Sequence, residues 1–506
     1  MAVPLPHRRT EDEAPAGAPG PRETLRALPT GAPAPPKPKR LARAITLALA
    51  VAIWFIPPPG NLTPQAWHLF AIFAATIVSV VIGAFPILTA SVLAMAAAVL
   101  TGTLAAGDAY AGFANPTIVL IIMAFLVARA VVKCGLGERL GYRAIMLFGK
   151  SSLGLAYSIF AVDALIAPAF PSNTARSGVL YPLAVSMATA AGATPGRADR
   201  QRLGKFLMFS GMASLCLSSA LWLTAMAGNP LGAAIAGKQG VEISFVSWLV
   251  ASSVPTILAM LVAPLLLYKI IKPEVSKMPE APAQARRALA ALGSLKREEK
   301  IVAVTFVVMV ALWALGSTLG VDATAVAFLG LGVLLATSVL TLGDIAKEGD
   351  VLATFIWFAS LFTLSSQLNE LGFMEFLGGR LVMRLGGLPV PVAAVSLVVA
   401  YVALHYLFVS QTAHLLALFA VFLGVGAKLG VGQNLAPAAP LLAFQLLWAT
   451  NYFAALAPQA SSANLLFAGS GFLSQGELYR LGAFFTTFCV LLYLLVGTPW
   501  LLLVTR

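Results

Sequence analysis

Between Arg43 and Asp108 the chain carries no formally charged residue, and the same holds from Arg384 to Lys428 and from Arg480 to Arg506. A helix that crosses a bilayer needs about 20 consecutive apolar residues. Runs of this length, recurring along 506 residues of which 59% are hydrophobic and 10% charged, restrict the chain to one class. It reads as an all-α polytopic membrane protein, with the lipid bilayer as its first partner.

The net charge of +13 does not point to nucleic acid. The cations cluster in short connections, from Arg129 to Lys150, Arg197 to Lys205 and Lys269 to Lys300. That is the positive-inside bias of cytoplasmic loops, and no basic face with interleaved aromatics appears. Cys134, Cys216 and Cys489 show neither pairing nor metal spacing and read as small apolar side chains. Residues 1–40, rich in Pro, Ala, Gly and Arg, read as a disordered tail. Lys37, Lys39, Arg40 and Arg43 precede the first span and place that tail in the cytoplasm.

Eleven spans are predicted, at 42–57, 65–83, 87–106, 116–133, 204–226, 243–270, 300–317, 322–341, 352–368, 436–456 and 479–503. Two apolar regions remain, 151–190 and 388–427, each with a polar cluster at its centre. In the first, Pro168, Pro171, Ser172, Asn173 and Thr174 would break a helix at the depth where a span is most buried. A hairpin that enters and returns from one side puts that break at a protein-covered tip. Two re-entrant helical hairpins are therefore expected, one entering from each side.

The halves can be laid on each other. Ser172-Asn173-Thr174-Ala175-Arg176 matches Ser410-Gln411-Thr412-Ala413-His414, and Gly135 and Gly372 precede the two serines by 37 and 38 positions. Asn229 and Asn464 follow at 57 and 54 positions. An odd number of crossings between the hairpins makes the halves inverted repeats, whose shared interface is where transporters hold substrate. The domain reading is thus 41–271 for the first repeat, 272–298 for a basic cytoplasmic linker and 299–506 for the second repeat.

The tips supply hydroxyls, amides and helix N-termini where lipid supplies none, which suits an anion that needs several donors to replace its water. Arg176 and His414, four residues past each serine, add intramembrane cationic groups, and such groups mark function by default. Asp163 is expected to pair with a cation, with Arg176 and Arg129 as the candidates. His405 reads first as a packed helix residue. Thr224–Pro230 and Pro458–Asn464 read as unwound segments that offer backbone groups to the site. The predicted substrate-binding set is Ser172, Asn173, Thr174, Arg176, Ser410, Gln411, Thr412, His414, Asn229, Pro230, Ser462 and Asn464. No metal or cofactor is expected, while one sodium site at Ser172 and Asn173 stays open. No metalloprotease helix, nucleophile elbow or catalytic carboxylate pair lies in the spans, so an enzyme is not expected.

The stretch Ala167–Gly178, together with Leu223–Pro230 and Gly320–Ala323, resembles the signature of the divalent anion/sodium symporter family. Within it, the resemblance is to the branch of citrate and tartrate/succinate exchangers and plastid 2-oxoglutarate/malate translocators. It implies eleven spans, two opposed hairpins, a homodimer with a static scaffold, and elevator movement of a transport domain that carries di- or tricarboxylates. Sodium-coupled members carry Ser-Asn-Thr at both tips, whereas the second tip here is Ser410-Gln411-Thr412. With Arg176 and His414 as tethered cations, sodium-independent anion exchange in the plasma membrane is expected, and sodium-coupled dicarboxylate symport is the alternative. Arg176→Ala is expected to stop transport and leave folding intact.

Overall fold

A computed structural model of the protein describes residues 40–196, 198–431 and 440–505. The predicted tail, apart from Arg40, lies outside these residues, as does the start of the span predicted at 436–456. The regular structure among the described residues is helical, and an isolated β-bridge joins Ser151 to Lys277.

The first half comprises α1 (Arg40–Phe55), α2 (Pro64–Val81), α3 (Ile87–Leu100), α4 (Ala106–Tyr110), α5 (Pro116–Cys134), α6 (Leu136–Phe148), α7 (Ser152–Ile166), α8 (Asn173–Ala190), α9 (Gly204–Leu221), α10 (Gly228–Lys238) and α11 (Phe245–Ile271). After α12 (Ala281–Ala291) come α13 (Arg297–Leu319), α14 (Ala323–Ala336), α15 (Leu342–Ala346), α16 (Gly349–Glu370) and α17 (Phe373–Leu385). The chain ends with α18 (Val390–Leu404), α19 (Gln411–Lys428), α20 (Leu441–Tyr452), α21 (Asn464–Ala468), α22 (Gln475–Leu492) and α23 (Thr498–Val504).

Element lengths recur in order. Helices α3 and α14 have 14 residues each, α4 and α15 have 5, and α6 and α17 have 13. Helices α7 and α18 have 15 each, and α8 and α19 have 18. Gly135 (φ 82°) and Gly372 (φ 79°) turn the chain ahead of α6 and α17, in a left-handed conformation that glycine adopts without steric cost.

Among the described residues ten helices are long and apolar enough to cross a membrane, so the chain is a multi-span membrane protein. Three of the ten, 152–169, 390–407 and 411–428, are arms of the predicted hairpins, and the other seven fall on predicted spans. The remaining predictions fall on shorter apolar helices, 87–100, 323–336 and 441–455, and on the 16-residue α1. Large apolar side chains such as Leu261, Val307 and Leu495 stay exposed, as helices facing lipid require.

Burial separates centre from periphery: 94% of the α9 window lies inside the protein, against 22% for the window over 475–504. The cause is composition. Gly204, Ser210, Gly211, Ser214, Ser218 and Ser219 let neighbouring helices approach α9 closely. A Cβ on Gly211 would stand 2.5 Å from the Phe467 ring.

The stretch 272–298 is more than a strap, since α12 forms within it and packs on α6. Buried Arg139 of α6 donates to the carbonyls of Leu292, Gly293 and Ser294 just past the C-terminus of α12, and pairs with Glu299 at 2.9 Å. A cation at a helix C-terminus satisfies carbonyls that the helix leaves unpaired.

Candidate functional site

Each half contains the same local construction. Helices α7 and α18 end in a single tight turn, Ala167–Ala169 and His405–Leu407, and the extended residues Phe170 and Phe408 follow. The chain then restarts as a helix capped by serine. Ser172 Oγ accepts from the Ala175 N–H at 3.2 Å, and Ser410 Oγ accepts from the Ala413 N–H at 3.3 Å. The serine carbonyls accept from Arg176 N and His414 N. A helix leaves its first four N–H groups unpaired. The caps satisfy the N–H groups of Ala175 and Ala413, and the serine carbonyls close the first intrahelical bonds, so among the described residues the N–H groups of Asn173, Thr174, Gln411 and Thr412 are left at the two helix heads. Such a head binds anions through its N–H groups and its partial positive charge.

The two tips meet. Asn173 Nδ2 donates to Gln411 Oε1 at 3.1 Å, and the Thr174 and Ser462 hydroxyls lie 2.7 Å apart. Both tips open on one cavity of about 520 Å³, lined by Ser172, Asn173, Thr174, Ser410, Gln411 and Thr412. The unwound segments contribute Met226 and Ala227 from one half and Ser461 and Ser462 from the other. These pairs occupy the same offsets, three and two residues before Asn229 and Asn464. The opposite wall comes from α5, through Phe125, Ala128, Arg129 and Val132, and from the segment that runs into α16, through Glu348, Asp350, Thr354, Trp357 and Phe358.

Five of the predicted binding residues lie elsewhere. Arg176 is fully buried behind the first tip, where Nη1 pairs with Asp163 at 2.7 Å. The same guanidinium bonds Ser218, Ser219, the Leu215 and Ala225 carbonyls, and Asn173 Oδ1 at 2.6 Å. Arg176 therefore meets Asn173 from behind and does not line the cavity. The helical repeat explains this, because residues two apart lie about 200° around the axis, so Thr174 on the cavity side puts Arg176 on the far side.

His414 is likewise fully buried, packed among the Tyr401, Phe408 and Phe453 rings. Its Nδ1 stands 3.3 Å from His405 Nδ1, and His405 Nε2 stands 3.0 Å from the Ala460 carbonyl. A carbonyl only accepts, so His405 Nε2 carries the proton and His414 Nδ1–H donates to His405. Neither ring lines the cavity.

Asn229 and Asn464 are staples. Asn229 Nδ2 donates to the carbonyls of Ser219 and Trp222, and Asn464 Nδ2 to those of Ala454 and Ala457. In both cases the acceptors lie 10 and 7 positions upstream. Each asparagine satisfies backbone groups freed where a helix unwinds, and Pro230 is buried beside Asn229. Asn229 Oδ1 also accepts from Asn451 Nδ2 at 2.9 Å, which ties the halves together.

The predicted set omitted Arg129 and its partner Glu348, whose Nε–Oε1 distance is 2.6 Å. It also omitted Met226, Ala227, Ser461, Trp357 and Phe358. Arg129 carried a readable signal as a charge inside a span. Met226, Ala227 and Ser461 lay within the two segments already read as unwound, whereas Trp357 and Phe358 had no signal, since apolar residues on a span look alike whether they face lipid or a cavity.

The helical membrane fold and the paired serine-capped tips around one cavity define a membrane transporter, not an enzyme. A family model, the sodium:sulfate symporter transmembrane region, matches residues 37–505. The chain belongs to that divalent anion/sodium symporter family. It is 38% identical to the putative malate transporter YflS of Bacillus subtilis, over 90% of this chain and 95% of that protein. It is 37% identical to dicarboxylate transporter 2, chloroplastic, of Spinacia oleracea, over 91% and 82%. It is 29% identical to the citrate/succinate antiporter of Escherichia coli, over 90% and 96%.

Proposed function

We propose that the protein exchanges di- or tricarboxylates across the plasma membrane, independently of sodium. One observation carries the reading: two serine-capped helix heads, joined through Asn173 and Gln411, face a single cavity. One carboxylate matches one head. The relatives named for malate, dicarboxylates and citrate/succinate support this substrate class.

Independence of sodium rests on oxygens that are already engaged. A sodium ion at Ser172 and Asn173 would need the Asn173 carbonyl oxygen, which accepts from Arg176 and from Ser219 at 2.6 Å each. At the second tip, Gln411 Nε2 donates to the carbonyls of Thr450 and Asn451. The role of Arg176 is thus revised: it serves as a built-in cation behind the tip, and Asp163 balances its charge. Exchange follows from the N–H groups at the helix heads. A dry crossing without an anion leaves them unpaired, at a cost of several kcal/mol, in the range for isolated polar groups moved out of water.

We read α7–α8 and α18–α19 as re-entrant hairpins of two inverted repeats, and the movement as an elevator. The Asn229–Asn451, Ser252–Trp448 and Thr256–Tyr493 bonds knit α10, α11, α20 and the end of α22 together, and α8 packs on α9 and α19 on α20, while α5 packs on α14 and α16 on α3. The cavity lies between these two sets, where a sliding boundary would carry it. A homodimer formed through the scaffold and a cytoplasmic N-terminus complete the reading.

The test uses purified protein in liposomes preloaded with succinate or with buffer, following entry of labelled succinate with and without sodium. Entry only into preloaded vesicles, indifferent to sodium, is the expected result. Entry into empty vesicles that requires a sodium gradient would make the protein a symporter. If succinate stays outside under all conditions, malate and citrate are tried in turn, and failure of all three overturns the substrate class.

A further inference from the structure

With Arg176 turned away, the tips present helix heads and hydroxyls but no full positive charge to the cavity. Among the described residues that line it, Arg129 on α5 is the cation, and Glu348 and Asp350 are the anions. The pairing of Arg129 is incomplete. Its shortest approach to Glu348 is Nε–Oε1 at 2.6 Å, and among the described residues neither Nη donates a hydrogen bond to a protein acceptor. The side chain stays 46% exposed. One turn further along the same helix, Lys133 points to other partners, Asp344 at 2.6 Å and the Val339 carbonyl at 2.9 Å. Of these two basic residues four apart, Arg129 lines the cavity and Lys133 does not.

We propose that Arg129 is a specificity-determining residue that receives the distal carboxylate of the substrate, and does so on one face of the membrane only. The proposal rests on the carboxylate-exchange reading above. A guanidinium presents a planar fork that matches a carboxylate in two parallel hydrogen bonds. One carboxylate of the anion sits on the helix heads of the tips, and the other takes the Nη atoms of Arg129. Glu348 holds the guanidinium at the cavity wall through Nε and lowers the net charge of the empty cavity. Arg129 belongs to α5, which packs chiefly on α14 and α16, with smaller contacts to α10 and the Ala167–Ala169 turn. When the tips move past α5, the substrate leaves Arg129 behind. The contact therefore strengthens capture on the face to which this cavity opens and is absent on the other.

The experiment measures half-saturation for succinate and for its half-amide, succinamate, in right-side-out and inside-out membrane vesicles. Wild type, Arg129→Gln, Arg129→Lys and Glu348→Gln are compared. Arg129→Gln is expected to raise the succinate value about tenfold on one face, the loss of about one charge-assisted hydrogen bond. It should leave the other face, and succinamate on both faces, unchanged. Arg129→Lys should fall between, because an ammonium lacks the fork. Glu348→Gln should shift the succinate value on that same face alone. An equal change on both faces, an equal change for succinamate, or no change overturns the proposal. Wild-type vesicles that exchange no dicarboxylate would instead overturn the reading on which it rests.

Discussion

Removing Arg176 leaves Asp163 without a cation in a part of the protein where both side chains are fully buried. Two serines, Ser214 and Ser218, also donate to that carboxylate, at 2.7 and 2.6 Å, but a hydroxyl does not cancel a charge. Breaking a buried pair by deleting one partner costs about 3–5 kcal/mol. Arg176→Ala is therefore expected to lower the melting temperature and the yield of folded protein, which corrects the sequence-based expectation of intact folding. Replacing both partners, Asp163→Asn with Arg176→Gln, should recover much of the lost stability, because no lone charge remains. Thermal melts of detergent-purified protein decide the matter. Wild-type melting for Arg176→Ala would show that the ion pair is not what holds the tip.

At the scale of elements, the two tips are set by local chemistry that recurs in each half. A serine cap, a tight turn and an extended phenylalanine fix where each helix restarts. Capping and anion binding share the same helix head, and they can be separated. Aspartate caps a helix about as well as serine, but it places a carboxylate where the substrate's carboxylate would sit. Ser172→Asp is expected to melt within a few degrees of wild type and to lose succinate exchange, whereas Ser172→Ala should lose about 1 kcal/mol of stability. Exchange at the wild-type rate by the aspartate variant would move the binding site away from this helix head. The first break was legible beforehand from Pro168, Pro171 and Ser172, and the second from its match to that segment, since no proline lies between Pro391 and Pro437. The fate of Asn229 and Asn464 was not, since a staple and a ligand carry the same amide.

Across the whole molecule, the halves are interlocked rather than strung together. Asn173–Gln411, Thr174–Ser462, Asn229–Asn451, Trp448–Ser252 and Arg139–Glu299 all cross between them. The connection itself runs through exposed residues such as Pro279, and Arg139 clasps the end of α12 without help from chain continuity. Two fragments, 1–279 and 280–506, are therefore expected to co-purify when made together and to exchange succinate in liposomes. Fragments that fail to associate would show that the covalent link, and not the shared core, assembles the fold.

The sequence by itself determined the membrane class, the places where helices stop and restart, and the paired tips. Apolar runs, prolines and serine caps act locally and need no neighbours to be read. Only the tertiary structure decided which polar groups face the cavity. Arg176 and Thr174 lie two residues apart on one helix, and their opposite fates follow from how that helix is rotated against α9. Arg129 and the tips lie far apart in sequence, and packing alone brings them to one cavity. Rotation and packing depend on the fit of many side chains at once, and no short motif records that fit.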